Sequence, residues 1–158
     1  NPGNSGGPLL NLAGEVIGVN TAINRQAQLI GFAIPINQVK KVIDDVKEFG
    51  KVRRPFLGVR YKIVTPELQE LSKLPVDYGA LIVKGESAQE LAVVPGSPAD
   101  EADLKEGDVM LEIDGKRISA EHLLAEILRG YNPGDRILLK ILTTGKEKII
   151  PITLGEAQ

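Results

Sequence analysis

The stretch that decides the reading is NPGNSGGPLL, Asn1 to Leu10. It sets one serine, Ser5, among Gly3, Gly6 and Gly7, and closes on Pro8-Leu9-Leu10. Glycine reaches backbone conformations with φ > 0 and lets the main chain approach another group closely. A loop built this way can aim several N–H groups at one point, which an oxyanion site beside a nucleophilic serine requires. The same composition also describes a glycine-rich turn ahead of a strand. The full run Gly3-Asn4-Ser5-Gly6-Gly7-Pro8-Leu9 is far more specific than a lone Gly-x-Ser.

Outward from this stretch, the chain has 158 residues, enough for one large domain or one and a half small ones. An apolar share of 42% suffices for a packed core. Seventeen glycines and ten prolines, against three Phe, three Tyr and no Trp, suggest many turns and aliphatic strands. The net charge of −2, with signs mixed, argues against the basic face of a nucleic-acid binder. Lys51, Arg53 and Arg54 form the one basic cluster and read as a solvated linker. Without cysteine there is neither a disulfide nor a thiolate metal site. No apolar run approaches the ~18 residues of a membrane span. The first residue is Asn and lies inside the motif, so the chain reads as a piece of something longer.

Residues 8–34 read as short strands: Pro8-Leu9-Leu10, Glu15 to Asn20, and Leu29 to Ile34. From Pro35 the period changes. Val39, Val42, Ile43, Val46 and Phe49 recur at three- and four-residue steps, which predicts a helix stopped by Gly50. Residues 51–55 read as a linker, and 56–155 as a second, complete α+β unit with a tail at 156–158. That unit is predicted to hold a strand from Phe56 to Val64 and a short helix capped by Thr65 with Pro66 at its first position. Strands follow at 80–83 and 91–94. Ser97-Pro98-Ala99-Asp100 has the spacing of a capping box. A strand at 109–113 ends in the hairpin turn Asp114-Gly115, Ser119 caps a helix from Ala120 to Arg129, and strands at 136–142 and 148–154 close the unit.

Three runs, Gly3 to Leu9, Gly14-Glu15-Val16-Ile17-Gly18-Val19-Asn20 and Gly31-Phe32-Ala33-Ile34-Pro35, resemble the C-terminal end of the protease domain of HtrA/Deg-type serine proteases. The later runs Phe56-Leu57-Gly58-Val59, Val94 to Ala99, Gly107-Asp108-Val109 and Ile113-Asp114-Gly115-Lys116 resemble the PDZ domain of the same family. The motifs fall in family order across nearly the whole chain. The resemblance implies a mostly β fold with some helix. Residues 1–50 would be the end of a trypsin-like double barrel, incomplete here and closing in a helix, and 56–155 a PDZ domain.

By the resemblance, Ser5 is the nucleophile, and the backbone N–H groups of Gly3 and Ser5 are the oxyanion donors. Asn4 stands where zymogen-activated relatives carry an aspartate that pairs with a new amino terminus, so that route of activation is not expected. Leu29, Ile30, Gly31 and Phe32 would line the substrate pocket and favour a small or medium aliphatic residue before the scissile bond; equally, the apolar side chains there are ordinary core. A serine hydroxyl needs a base and an orienting acid, and the family places both ahead of the serine. The single histidine, His122, lies far downstream, so this chain alone is expected to be inactive.

The resemblance makes Phe56-Leu57-Gly58-Val59 a carboxylate-binding loop. The amides of Leu57, Gly58 and Val59 would converge on an anion, with Gly58 clearing a Cβ from its path. A peptide would add as a strand along Val59, Arg60 and Tyr61. Leu57, Val59, Tyr61, Ala125 and Leu128 would surround its last side chain, with Leu124 and Ile127 leaving the helix assignment open by one position. Two departures from the family pattern stand out: Asp103 where glycine is usual, and an insert from Lys84 to Leu91.

The resemblance therefore implies the C-terminal portion of an HtrA-type endopeptidase of protein quality control, whose parent would need no metal or cofactor, form a homo-oligomer and act outside the bacterial cytoplasm. Its partners would be unfolded proteins or peptides with free hydrophobic C-termini, not nucleic acid. The barrel segment at 8–34, lacking its neighbours, is expected to be disordered or to pair with another copy of the chain. The alternative is a non-enzymatic PDZ scaffold with a remnant protease segment.

Overall fold

The computed structural model describes residues 3–23, 31–87 and 89–157. It divides into two compact units, Asn1–Arg53 and Arg54–Gln158.

In the first unit, β1 (Pro8–Leu10), β2 (Val16–Ile23) and β3 (Gly31–Pro35) form an antiparallel sheet in that order. Asn11 shapes the β1–β2 turn: its side-chain oxygen accepts from the amides of Ala13 and Glu15, both at 2.9 Å. Helix α1 (Ile36–Phe49) follows and stops at Gly50, whose left-handed backbone sends its N–H to the Val46 carbonyl at 2.9 Å. Among the described residues the three strands form an open sheet, not a closed barrel. The apolar stripe of α1 is correspondingly uncovered: Val42, Ile43, Val46 and Phe49 are each more than 40% exposed. Among the described residues of this unit one charged group is buried. Asp45 accepts from the Arg53 amide and guanidinium at 3.2 Å, and the guanidinium stacks 3.4 Å over the Phe49 ring.

The second unit contains β4 (Pro55–Phe56), β5 (Tyr61–Ile63), α2 (Pro66–Ser72), β6 (Ala80–Ile82), α3 (Pro98–Glu101), β7 (Val109–Ile113), β8 (Lys116–Arg117), α4 (Leu124–Leu128), β9 (Arg136–Thr143), β10 (Lys146–Thr153) and β11 (Gly155–Glu156). The main sheet runs β10-β9-β7-β6-β5, with β8 paired to β7, and β4 pairs separately with β11. Central strand β7 is apolar on both faces. Met110 and Ile113 enter one core with Ile82, Leu139 and Leu124, while Val109 and Leu111 enter another with Leu81 and Leu142. Leu68, Leu74 and Val76 cover that second core.

Two of the three predicted caps are present: Thr65 accepts from the Leu68 amide and Ser97 from the Asp100 amide, each at 3.3 Å. Four expectations are corrected. Residues 56–64 are not one strand, because Gly58 at φ +90° turns the chain between β4 and β5. Residues 91–94 make only an isolated bridge, Val59 to Val93. The helix predicted from Ala120 begins at Leu124, since Ser119 closes a turn instead, accepting from the amides of Glu121 and His122 at 3.2 Å. Residues 51–55 are not free linker: Arg53 is tied to Asp45, and Pro55 lies in β4.

Candidate functional site

The Ser5 loop is shaped by its glycines. Gly3 (φ +95°) and Gly6 (φ +83°) hold the chain in the left-handed region on either side of the serine. The Gly6 amide donates to the Asn20 carbonyl at 2.8 Å and the Asn20 amide to Gly7 at 2.9 Å, docking the loop against β2. Among the described residues nothing accepts from the amides of Gly3 or Ser5, the two groups assigned to an oxyanion. The Ser5 hydroxyl donates to the Thr21 carbonyl at 2.7 Å. A peptide carbonyl holds that proton without removing it, so here the serine is oriented but not activated. Gly31 begins β3, and Phe32 beside it is 57% exposed. Leu29 and Ile30 lie outside the described residues. His122 sits in the other unit, exposed, in the turn made by Ser119.

In the second unit the hydrogen-bond parity of residues 58–64 is informative. Gly58 accepts from Val94 at 2.8 Å, Arg60 donates to Ala92 at 2.8 Å and accepts from Val83 at 3.1 Å, and the Val64 amide reaches Gly79 at 2.9 Å. Even-numbered residues thus turn their backbone groups inward. The N–H and C=O of Val59, Tyr61 and Ile63 face the other way, along the open edge of β5, the last strand of its sheet. Among the described residues nothing accepts from the amides of Leu57, Gly58 or Val59 at the head of that edge. The arrangement offers successive donors followed by an unpaired strand edge.

The apolar side chains of this edge differ in how deeply they are buried. Leu57 is 3% exposed and belongs to the main core; Val59, Tyr61, Ile63, Ile127 and Leu128 pack against that core partly exposed. Leu124 is fully inside, so it is not a groove residue, and Ala125 is the exposed member of the pair Ala125/Leu128, three residues apart on one helix face. Phe56 lies in β4, paired with Gly155.

The role given to Gly58 changes. A Cβ built there would stand 2.1 Å from the Ser97 Cβ and 2.3 Å from its Oγ, not in the path of a ligand. The vacancy is filled by the protein itself, and Ser97 also donates to the Gly58 carbonyl at 3.4 Å. Ser97 was legible only as a helix cap; its contact across 39 residues left no local signal.

The insert at 84–91 is a small closed loop behind this edge. Gly85 donates to the Glu90 carbonyl at 2.8 Å, and the Glu90 carboxylate accepts from Ser87 at 3.1 Å. That hydrogen bond, with a smaller contribution from the Arg60 charge, holds the Glu90 carboxyl below its ordinary range. The Arg60 guanidinium donates to the Leu91 carbonyl at 2.7 Å. Among the described residues no cluster of His, Asp or Glu is arranged to hold a metal ion.

Comparison with known proteins agrees with both halves. The trypsin family matches residues 1–43 and a PDZ domain family matches residues 91–143. The chain is 43% identical over 160 residues to a "Probable periplasmic serine endoprotease DegP-like" protein of Chlamydia pneumoniae, covering 99% of this chain and 31% of that one. A protein of the same description from Marinomonas is 41% identical over 157 residues, covering 98% and 32%. Among solved structures, "HtrA-type protease AlgW with decapeptide" superposes over 100% of this chain and 47% of that one, with 35% identity and a TM-score of 0.77. A serine endoprotease from Yersinia pestis does so at 27% identity and a TM-score of 0.64, over 49% of its own length. The chain thus spans about a third of the curated relatives and about half of the solved chains. Together these matches support an HtrA-type protease fragment, in which the end of a trypsin-like domain is followed by a PDZ domain.

Proposed function

We propose that this chain supplies the nucleophile, the oxyanion loop and a peptide-capture groove to a serine endopeptidase acting outside the bacterial cytoplasm. Ser5 attacks the scissile carbonyl once a base outside this chain takes the proton now given to Thr21, and the amides of Gly3 and Ser5 receive the oxyanion. The periplasmic naming of the relatives supports the compartment.

The groove binds hydrophobic C-terminal tails of unfolded proteins. The observation that carries this is the run of unaccepted amides, Leu57 to Val59, at the head of an open strand edge flanked by Val59, Tyr61, Ala125 and Leu128. A terminal carboxylate suits the donors, and the peptide behind it adds to β5 as a strand. Charge-assisted hydrogen bonds at ~1.5–3 kcal/mol each and one buried aliphatic side chain at ~1.5–3 kcal/mol, less the cost of ordering a peptide, suggest micromolar affinity. Calorimetric titration with peptides ending in a free or an amidated Val tests it. The free acid is expected to bind at least ~10-fold tighter, about 1.4 kcal/mol. Equal affinities would show that the loop is a buried turn with no anion role.

A further inference from the structure

We propose that the groove also reads charge: Lys62 selects peptides with an acidic side chain at the fourth residue from the C-terminus. The inference rests on the groove reading above and specifies its ligand class.

The register follows from the parity already described. The anchoring amides lie at the N-terminal end of the edge, so a peptide held there by its C-terminus runs antiparallel to β5. Only Val59, Tyr61 and Ile63 present backbone groups outward. The last peptide residue therefore pairs with Val59 and the third from the end with Tyr61. The next-to-last then lies beside Arg60, and the fourth from the end beside Lys62. Paired residues of an antiparallel ladder project to the same face. The last and third side chains share the face of Val59 and Tyr61, and the other two share the face of Arg60 and Lys62.

These two cations are not equivalent. Arg60 is committed: its guanidinium holds the Leu91 carbonyl, and the Glu90 carboxylate shares its field. Lys62 is exposed, its cross-strand neighbour on β6 is the buried Leu81, and among the described residues it pairs with no carboxylate. An unpaired ammonium beside an incoming strand favours a carboxylate there and disfavours a second cation.

The test is calorimetry in low salt with four peptides of one sequence ending in free Val. Three carry Glu, Gln or Lys fourth from the end, and one carries Glu next to last. Cross-strand ion pairs of this kind shift affinity about two- to fivefold. Glu fourth from the end should bind that much tighter than Gln, and Lys weaker. Glu next to last should change little. Lys62→Glu should invert the Glu/Lys order, and its tyrosine fluorescence should confirm an intact fold. Equal affinity across the fourth-position series, or an order unchanged in Lys62→Glu, overturns the inference while leaving the groove intact. Failure of every peptide to bind removes the groove reading and this inference together.

Discussion

Gly58→Ala is expected to damage the second unit's stability before it touches any ligand. The new methyl would stand 2.1 Å from the Ser97 Cβ, and the backbone holds φ +90°, where a side chain is strained. Overpacking of a tight site costs ~1–3 kcal/mol, and the left-handed region ~1–2 kcal/mol. Together they predict a loss of about 2–5 kcal/mol. For a unit of roughly 100 residues, 1 kcal/mol shifts Tm by about 4–5 °C, so Tm should fall by about 10–20 °C. All three tyrosines, Tyr61, Tyr78 and Tyr131, lie in this unit and there is no Trp, so tyrosine fluorescence during urea unfolding reports on it alone. The deciding comparison is with Ser97→Gly, which removes both opposing atoms and, as a helix cap, costs only a few tenths of a kcal/mol against serine. Added to Gly58→Ala, it should restore about 1–3 kcal/mol, leaving the φ penalty. Effects that add to within ~0.5 kcal/mol would show that the close approach is not why glycine stands there.

Other expectations are equally direct. Lys73 caps α2 at φ +50°, so Lys73→Gly should raise stability by about 0.5–1 kcal/mol in the same urea assay. Asp45→Asn leaves the Arg53 guanidinium without its buried carboxylate, and should cost about 1–3 kcal/mol and speed hydrogen exchange at the Arg53 amide. The Tyr131 hydroxyl donates to Asp114 at 2.7 Å, and burial, followed by that carboxylate, pushes its pKa up to about 12. Raised above its unfolded value, the group favours the folded state below about pH 10 and loses that advantage as pH climbs toward 12; absorbance titration should find one tyrosine ionising late, and Tyr131→Phe should abolish that step. Phe32 and Ile34 are 57% and 42% exposed beside the uncovered stripe of α1, so light scattering should find the chain self-associated, and Phe32→Ser with Ile34→Ser should reduce it.

What the sequence carried and what it withheld divide along the range of the interactions. Thr65-Pro66, Ser97-Pro98 and the stop at Gly50 are local, and each cap forms where its residues stand. Asp103, at φ +58°, takes the left-handed backbone that glycine would have supplied. The strands expected at 136–142 and 148–154 on either side of Thr144-Gly145 form as Arg136–Thr143 and Lys146–Thr153. The failures are non-local. Ser119 has the composition of a helix cap, yet its hydroxyl closes a preceding turn and the helix starts five residues later. Residues 91–94 are as β-branched as a strand, but are spent bracing 58–60. At Gly58 the sequence reveals a glycine that matters, and only the fold identifies Ser97 as the reason. Ser5 is legible by motif; its hydroxyl's engagement with Thr21 is not.

The Ser97 side chain lodged against Gly58 has one further effect. With that space filled, and with Gly58 and Arg60 bonded from behind by Val94, Ala92 and Val83, the donor loop is already ordered before a ligand arrives. For a tail entering the proposed groove, the ordering cost would then fall mainly on the peptide. Association should therefore proceed in a single kinetic phase, governed by diffusion and the disorder of the incoming chain. Stiffening the peptide should tighten binding, whereas further stiffening the loop should not.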